Sequence, residues 1–351
     1  MNEVINELPH RETEIQEILD FVFKSRKYNE EFAMPTGMAN QLLIEGPSGT
    51  GKTSVINQII PILQKEGFGV KYLIAQDTDV RTAYSLLSKT YYHGASYSSA
   101  QIDNEILLLG KYPVIILDEL QTLVMNSLSY NLLYLLTRKQ GLILIMISSK
   151  PNIKYLINDK SVQDSFLPRV IRFNPYTTAQ KRDIIKYYDK NHILSDDDIS
   201  FLLQLIGDTG SARPIVYVLS SLLMNFTSQK DIKEQILEAY NQYMEVEVDS
   251  TISALSPLAK QILFLLFSSG HDGMSAKELL SLYNSSFPSV NYYRFRQAIE
   301  ELENKNILSW VVRGLGRKKG VAGNIELSIS YFGNQQIKDK IMSFLSYAGK
   351  I

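Results

Sequence analysis

One stretch of the sequence has both the residue types and the spacing of a phosphate-binding loop. Residues 46–53 read Gly-Pro-Ser-Gly-Thr-Gly-Lys-Thr, a full match to the pattern G-x-x-x-x-G-K-[ST]. Glycines let backbone N–H groups wrap around phosphates, the lysine can reach the β- and γ-phosphates, and the threonine hydroxyl can bind Mg²⁺. A glycine-rich turn that matches by chance is the alternative. We predict that ATP is bound by Gly46, Pro47, Ser48, Gly49, Thr50, Gly51, Lys52, Thr53 and Ser54.

A second stretch supplies two carboxylates at the end of an apolar run. Residues 114–117 read Val-Ile-Ile-Leu, and Asp118 and Glu119 follow directly. In α/β proteins, ligands bind outside the carboxyl ends of the strands. Asp118 is therefore expected to hold Mg²⁺, usually through water, and Glu119 to act as a general base toward the attacking water. An ordinary acidic loop is the alternative, and the phosphate-binding loop upstream disfavours it.

Two further polar residues could reach the γ-phosphate. Ser149 follows the apolar stretch 142–147 and could touch the γ-phosphate or the attacking water, although a plain strand-end turn explains it equally well. Arg213 opens a helix after the segment 207–212 and could reach over the γ-phosphate from a helical lid. The alternative for Arg213 is a surface arginine. A positive charge in the first turn is mildly unfavourable against the helix dipole, and this favours a functional role.

These residues need a scaffold, and the sequence predicts an α/β one. Near-continuous apolar stretches alternate with helical patterns, at residues 41–45, 71–75, 114–117, 142–147 and 170–173. Such strands are covered on both faces, and their alternation with helices indicates a parallel sheet with right-handed crossovers. Residues 177–245 show only helical spacing, and residues 246–253 read as a linker. We predict a five-stranded parallel α/β core (1–176), a helical lid (177–248) and a C-terminal domain (249–351).

The C-terminal pattern predicts a winged helix. Three helical stretches precede two strand-like ones, at residues 258–267, 276–283, 289–304, 307–312 and 324–330. A glycine-rich, basic segment (313–320) separates the two predicted strands. Three helices followed by a two-stranded wing form a variant of the helix-turn-helix.

This predicted winged helix carries a local positive charge. Residues 289–319 contain seven Lys or Arg and three Glu, a balance of +4 in a chain whose net charge is -1. Such a segment can contact the phosphates and grooves of duplex DNA. A protein-binding winged helix or a solvated basic turn is the alternative. The predicted DNA-contacting residues are Ser289, Asn291, Tyr292, Arg294, Arg296, Arg313, Arg317, Lys318 and Lys319.

Composition excludes several classes of protein. The 351 residues include no cysteine, so disulfides, thiolate metal sites and cysteine nucleophiles are excluded, as expected for an intracellular protein. The longest apolar runs, such as 142–147, fall far short of the roughly 18 residues that span a bilayer. We therefore expect no membrane partner.

Taken together, these motifs resemble the AAA+ ATPases of the origin recognition complex and cell division control protein 6 family, of the archaeal initiator type. The resemblance rests on the two Walker motifs, which are the phosphate-binding loop at 46–54 and the stretch 114–119, on Arg213 and on the predicted winged helix. It rests further on residues 8–14, which are similar to the family's N-terminal segment that packs on the adenine. Residues 173–180 are similar to the family's signature at the entry to the lid. The resemblance covers nearly the whole chain.

The resemblance carries expectations about ligands and partners. It implies that His10 and Arg11 lie near the adenine, that Tyr176 contacts the nucleotide, and that Arg213 is the second sensor. It implies ATP or ADP with Mg²⁺ as ligands, and origin DNA, the replicative helicase and other initiator subunits as partners. The expected location is the chromosome, in the cytoplasm of an archaeon or the nucleus of a eukaryote.

The sequence departs from the family pattern at several positions. Ser149 stands where the first sensor is commonly asparagine, and Tyr188 stands where a basic lid residue is expected. Residues 159–165 contain no arginine that could serve as the finger, and Arg169 is only a remote candidate. The insertion at 96–110, a second DNA-contacting element in the family, is short and lacks Lys and Arg. These departures predict hydrolysis that is slow or depends on a partner.

Three functions remain open at this point. The leading interpretation is a replication initiator in which the nucleotide state sets the lid angle and so the grip on duplex DNA. A signalling or regulatory ATPase whose winged helix binds protein is the second. An ATP-dependent target selector of a mobile element is the third, because such proteins share the two Walker motifs.

Overall fold

A parallel sheet forms the centre of the N-terminal part of the chain. Its strands are β1 (Asn40–Glu45), β2 (Gly69–Ile74), β3 (Pro113–Asp118), β4 (Ile143–Ser148) and β5 (Arg169–Arg172). They lie in the order β2-β3-β4-β1-β5, and every neighbouring pair is parallel. Glu45 is level with Ser148, and Ile74 with Asp118, so the carboxyl ends of four strands meet at one edge of the sheet.

Both faces of this sheet are covered, which explains why its strands read as continuous apolar runs. Alternate residues of each strand enter different cores: Leu43, Ile115 and Leu144 face one cluster, and Leu42, Val114 and Ile143 face the other. The covering helices are α1 (Glu12–Glu31), α2 (Lys52–Lys65), α3 (Asp79–Leu86), α4 (Ser99–Leu108), α5 (Leu120–Asn126), α6 (Asn131–Arg138) and α7 (Lys160–Ser165), with a 3-10 helix at Ile153–Leu156.

Three helices form the lid that follows the sheet: α8 (Thr178–Tyr188), α9 (Asp196–Ile206) and α10 (Arg213–Asn225). Capping boxes begin the first two, Thr177 with Gln180 and Ser195 with Asp198. Each helix packs on the other two through one apolar face. Gly207 ends α9 with a φ of 63°.

The C-terminal part has the winged-helix arrangement. Its elements are α11 (Ile232–Ser253), α12 (Pro257–Ser268), β6 (Met274–Ser275), α13 (Ala276–Ser286), α14 (Tyr292–Asn304), β7 (Leu308–Val311) and β8 (Asn324–Leu327). The strands pair in the order β6-β8-β7, both pairs antiparallel. Leu263, Leu279, Phe295 and Leu302 belong to the core that joins the three helices before the wing.

The predicted fold class is confirmed: an AAA+ α/β core with a five-stranded parallel sheet, a helical lid and a C-terminal winged helix. The linker prediction for residues 246–253 is wrong, because they continue α11. Val248 and Ile252 are buried at helical spacing there, and neither Gly nor Pro interrupts the run. The chain divides into two compact units, residues 1–226 and 227–351. The division into three domains at 176 and 248 stays a prediction.

This computed structural model describes residues 8–31, 40–90, 94, 96–127, 129–227, 229–269, 274–304, 307–311 and 324–327. Among the helices in these ranges, none is both long enough and apolar enough to cross a membrane.

Candidate nucleotide site and nucleic-acid interface

The phosphate-binding loop lies between the end of β1 and the start of α2. Gly49 and Gly51 have φ angles of 78° and 90°, a region that side chains with a Cβ disfavour, so the loop depends on glycine at both positions. Helix α2 begins at Lys52 with no side-chain cap, which leaves the backbone N–H groups of its first turn for a ligand. A helix N-terminus of this kind favours an anion. Around it, Pro47, Ser48, Thr53 and Ser54 are exposed.

Lys52 is held inside this loop. Its Nζ donates to the carbonyl oxygens of Gly46 at 2.6 Å and of Pro47 at 2.8 Å. Burial lowers the pKa of Lys52 to about 8, against the opposing influence of the Glu119 and Asp118 carboxylates, and the positive charge of Arg213 lowers it further. The Lys52 ammonium therefore interacts with the carboxylates of Glu119 and Asp118. An anion added beside it would raise the pKa of Lys52.

Asp118 and Thr53 form an oxygen pair suited to a hard cation. The Thr53 hydroxyl donates to Asp118 Oδ2 at 2.9 Å, and the Tyr72 hydroxyl donates to the same oxygen at 2.8 Å. Burial and this second hydrogen bond raise the pKa of Tyr72, so its phenol remains a donor. Asp118 is buried and its Oδ1 accepts from the backbone N–H of Glu119 at 2.7 Å. Mg²⁺ prefers oxygen ligands and is usually bound through only one or two protein carboxylates. The hydroxyl of Thr53 and the carboxylate of Asp118 therefore fit this ion.

Glu119 stands directly after β3 in a left-handed backbone conformation, with a φ of 56°. That conformation is uncommon for a residue with a Cβ, and residues of this kind gather at functional sites. Its carboxylate accepts a hydrogen bond from the side-chain amide of Gln121. Ser149 follows β4, and its backbone N–H donates to Gln121 Oε1 at 3.0 Å. The general-base candidate and the first-sensor candidate are thus joined by one glutamine, which the sequence patterns did not single out.

Arg11 connects the phosphate-binding loop to the segment that enters the lid. Its guanidinium donates to the carbonyl oxygens of Thr50 at 2.9 Å and Asn174 at 2.7 Å, and to Glu14 at 2.7 Å. It also stacks over the Tyr176 ring, 4.1 Å from the centroid. Arg11 is only 3% exposed. Its donors are directed at protein acceptors, so Arg11 is linked to the phosphate-binding loop through the Thr50 carbonyl.

The neighbouring His10 and Tyr176 connect the N-terminal segment, the loop and the lid. His10 Nε2 lies 2.9 Å from Asp183 Oδ2 on α8. Tyr176 is buried, and its hydroxyl would lie 2.9 Å from a Cβ placed on Gly51. His10 therefore contacts the first helix of the lid, and Tyr176 lies beside the phosphate-binding loop; their contact with a nucleotide stays a prediction.

The lid contacts the phosphate-binding loop directly. The backbone N–H of Ala212 donates to the Gly49 carbonyl at 3.0 Å, and a Cβ on Gly49 would meet Ser211 Oγ at 1.9 Å. Lys181 shapes this approach from inside the lid, because its buried Nζ donates to the carbonyls of Gly207 at 2.7 Å and Thr209 at 2.8 Å. Arg213 comes next in the chain as the exposed first residue of α10. This places the second-sensor candidate beside the loop.

The structure leaves the arginine finger unassigned among the described residues. Helix α7 fills the region where it was sought and has no arginine, while Arg169 lies exposed on the edge strand β5. The insertion between β2 and β3 forms α3 and α4, and α4 has no Lys or Arg.

The opening of α14 presents the predicted DNA-contacting residues. Ser289, Asn291, Tyr292, Arg294 and Arg296 are all exposed. Two of them already have protein partners: Asn291 Oδ1 caps the helix by accepting from the Arg294 N–H at 2.9 Å, and Arg296 Nε donates to Glu300 at 2.9 Å. The predicted wing residues Arg313, Arg317, Lys318 and Lys319 lie outside the described residues.

Two residues that sequence spacing did not identify occupy the middle of the outer face of α14. The inner face is defined by the buried residues Phe295, Ala298, Ile299 and Leu302. Helical periodicity then places Tyr293 and Gln297 opposite, one turn apart. Tyr293 is 70% exposed, and Gln297 Nε2 donates to its hydroxyl at 3.3 Å. Tyr293 and Gln297 are uncharged, so a search for basic residues does not find them. They are identified only from the burial pattern of the whole helix.

Comparisons with known proteins agree with this architecture. No family model matches the chain. It is 26% identical over 310 residues to an ORC1-type DNA replication protein of Methanothermobacter thermautotrophicus, which covers 82% of this chain and 83% of that protein. Its fold matches the structure of the Aeropyrum pernix ORC1 protein in complex with DNA, with a TM-score of 0.73 and 19% identity over 99% of this chain and 97% of that one.

A second solved structure is similar in fold: the Aeropyrum pernix ORC2 protein in its ADPNP-ADP complexes, with a TM-score of 0.58 and 16% identity over 99% of this chain and 97% of that one. The resemblance to the origin recognition complex and cell division control protein 6 family is therefore confirmed, since the chain is similar in sequence to ORC1-type DNA replication proteins and has the fold of the archaeal ORC structures.

Proposed function

We propose that this chain is an ATP-dependent DNA-binding initiator of replication that recognises origin DNA. The observation that carries the proposal is the extent of the sequence similarity to an ORC1-type DNA replication protein. That similarity covers 82% of the chain, more than either compact unit, so it includes parts of both. The sequence similarity therefore extends into both the unit that contains the phosphate-binding loop and the unit that contains the winged helix.

ATP is the proposed ligand of the loop between β1 and α2. The uncapped start of α2 and the Lys52 ammonium supply the positive groups that phosphates require. Mg²⁺ would be held by Thr53 and, through water, by Asp118, and it would neutralise charge on the β- and γ-phosphates. Arg213 would approach the γ-phosphate from the lid.

Slow hydrolysis is the proposed reaction of this site. Glu119 would accept the proton of the attacking water, and Ser149 marks the strand end beside it. Neither α7 nor the exposed Arg169 offers an evident arginine finger, and such a residue is worth orders of magnitude in rate. ATP binding and hydrolysis would then act as a switch, with the ATP and ADP states differing in their affinity for DNA.

Duplex DNA is the proposed partner of the winged helix. The acids of α14 lie at positions 300, 301 and 303, whereas its basic residues Arg294 and Arg296 lie in the first half. The first turns are therefore the part that suits a groove lined by phosphates. Other initiator subunits and the replicative helicase are further proposed partners, and the proposed location is the chromosome.

The proposal is tested by selecting binding sites from chromosomal DNA of the source organism. The full chain with Mg-ATP would be mixed with sheared DNA, and bound fragments would be sequenced and then footprinted. We expect a small set of discrete protected sites that includes a replication start region. Uniform recovery of fragments with no discrete footprint would contradict origin recognition. An Arg294→Ala variant, which keeps the nucleotide site intact, serves as the control for contacts made through α14.

A further inference from the structure

The side-chain amide of Gln121 connects the ends of two strands at the nucleotide site. Its Nε2 donates to a carboxylate oxygen of Glu119, which follows β3. Its Oε1 accepts from the backbone N–H of Ser149, which follows β4, at 3.0 Å. Gln121 itself is only 8% exposed, whereas Glu119 is exposed, so the two hydrogen bonds are partly buried. A hydrogen bond that is partly shielded from water holds its groups more firmly than a fully exposed one.

The chemistry of these two contacts restricts which side chain can make them. One group must donate to a carboxylate and accept from an N–H at the same time, and an uncharged planar amide does both. A carboxylate at this position could accept from Ser149 but would repel Glu119. A methylene chain or a thioether of similar length would leave Glu119 without its donor and the Ser149 N–H without its acceptor.

Glu119 needs such a support because its backbone alone does not fix the carboxylate. The residue has a φ of 56° and stands at the N-cap of α5, where its side chain accepts no capping hydrogen bond from a backbone N–H of that helix. Three rotatable bonds separate its backbone from its carboxylate, so an unsupported side chain would sample several rotamers. The neighbouring Asp118 has its own partners in Thr53 and Tyr72, and it is therefore held independently of Gln121.

We propose that Gln121 is a positioning residue for ATP hydrolysis, which holds the Glu119 carboxylate and ties it to the β4 end at Ser149. This inference rests on the proposed function. In the reaction, the water oxygen forms a bond to the γ-phosphorus while the bond from that phosphorus to the β,γ-bridging oxygen breaks. The water proton passes to Glu119, and ADP and phosphate leave. Gln121 has no part in the bonds that form and break at the γ-phosphorus, and it acts by keeping the proton-accepting carboxylate of Glu119 in place.

The test compares four variants of the full chain with the wild type. Gln121→Met removes both hydrogen bonds at similar volume, Gln121→Glu keeps the acceptor but adds a second carboxylate, and Glu119→Gln sets the background without a base. Gln41→Met is the matched control. Gln41 is also buried, and its amide makes three hydrogen bonds to the backbone of Thr137, Ser165 and Leu167, none of them with Glu119. Single-turnover hydrolysis of labelled Mg-ATP, ATP affinity and thermal unfolding would be measured for each.

We expect Gln121→Met to lower the single-turnover rate about tenfold with ATP affinity unchanged within twofold, because a mispositioned base costs rate and not binding. Gln121→Glu should lower the rate at least as much, because a second carboxylate repels that of Glu119 and offers it no donor. Gln41→Met should lose thermal stability and leave the rate of the folded protein in place.

Three results would overturn the inference. A Gln121→Met rate equal to or above that of the wild type would show that the amide does not position the base. Equal losses of rate in Gln121→Met and Gln41→Met would assign the effect to stability. A wild-type rate no higher than that of Glu119→Gln would refute hydrolysis at this site, and with it that part of the proposed function, whereas the first two results leave the proposed function intact.

Discussion

Lys52 lies against the carbonyl groups of its own loop, and this burial makes its charge sensitive to pH near neutrality. The pKa of Lys52 is lowered to about 8, first by burial and then by the positive charges of Arg213 and Arg11, although Glu119 and Asp118 oppose the change. A phosphate binds the ammonium form, so an added γ-phosphate must raise this pKa again. Nucleotide binding and protonation of Lys52 are therefore linked.

This linkage predicts that ATP affinity weakens as pH rises through 8. Below pH 8 the free protein already carries the ammonium, whereas above pH 8 binding must include uptake of a proton. The dissociation constant should rise about fivefold between pH 8 and 9 and approach a tenfold rise for each further unit. Titration with a fluorescent ATP analogue from pH 7.5 to 9.5 measures it. Lys52→Ala should bind weakly with a flat profile, and a flat profile in the wild type would contradict the assignment.

Arg11 is the second residue whose environment supports a specific prediction. It donates hydrogen bonds to the Thr50 and Asn174 carbonyls and to Glu14 from a buried position. Arg11→Ala would leave these acceptors unpaired, and we expect a loss of about 3 kcal/mol in the free energy of unfolding together with weaker ATP binding. Urea unfolding measures the first effect.

Arg26 provides the matched control for Arg11. It also stacks on aromatic rings and donates to a backbone carbonyl, that of Glu66 at 3.1 Å, but it is only half-buried and lies away from the phosphate-binding loop. Arg26→Ala should cost about 1 kcal/mol and leave ATP affinity unchanged. Equal losses in the two variants would argue against a special role for Arg11.

At the scale of elements, the contact between the lid and the phosphate-binding loop is made through backbone atoms. Ala212 donates to the Gly49 carbonyl, and Ser211 fills the space where a Cβ of Gly49 would stand. Both lid residues immediately precede α10, and Lys181 holds the preceding loop by its carbonyls. The position of the lid is therefore coupled to the loop that would bind phosphate.

Gly49→Ala should break this coupling. Alanine would have to adopt the left-handed backbone conformation of Gly49, and its Cβ would overlap Ser211 Oγ. We therefore expect at least a tenfold loss of ATP affinity. Gly67→Ala isolates the backbone cost, because Gly67 has a φ of 84° and nothing within 4 Å of a Cβ. It should lose about 1 kcal/mol of stability and keep its ATP affinity. Gly49→Ala combined with Ser211→Gly should bind ATP more tightly than Gly49→Ala alone; no recovery would contradict the steric account.

Helix α14 supports a prediction about DNA sequence preference. Tyr293 and Gln297 lie at the middle of its outer face, and a glutamine amide can contact an adenine edge with both its donor and its acceptor. Gln297→Ala should reduce the ratio of specific to non-specific affinity about tenfold. Arg294→Ala should weaken both alike and lower the salt slope by about one. Competition between a selected site and random duplex measures the two ratios, and equal behaviour of the two variants would contradict this division of roles.

Local sequence patterns were sufficient for the strands, the phosphate-binding loop and the winged helix, because each depends on neighbours in the chain. The apolar stretch before Asp118 reads as a buried strand without knowledge of its partners. The roles proposed for Gln121 and Lys181 could not be predicted in the same way. Ser149, one of the two partners of Gln121, and the carbonyls that Lys181 contacts lie far away in the chain. The linker expected at 246–253 failed for a related reason: its burial within the second unit decides in favour of helix.

At the scale of the whole molecule, the candidate nucleotide site lies in the first unit and the helix proposed to read DNA lies in the second. The first unit contains the phosphate-binding loop, the two carboxylates and the lid, and the second contains the winged helix. A chain whose net charge is -1 has no general attraction for DNA, so its binding must come from local contacts. Each contact with a DNA phosphate should release counterions from the DNA, so the number of contacts sets the salt dependence of the affinity. We expect this affinity to differ between the ATP and ADP states.

Coupling between the nucleotide state and DNA binding is measured by fluorescence anisotropy of the full chain with duplex DNA, across a salt series with ATP and with ADP. We expect a steep dependence of affinity on salt, and a difference between ATP and ADP that disappears in Lys52→Ala. Weak binding that is flat with salt and identical with both nucleotides would contradict it, and would favour an ATPase whose winged helix binds protein.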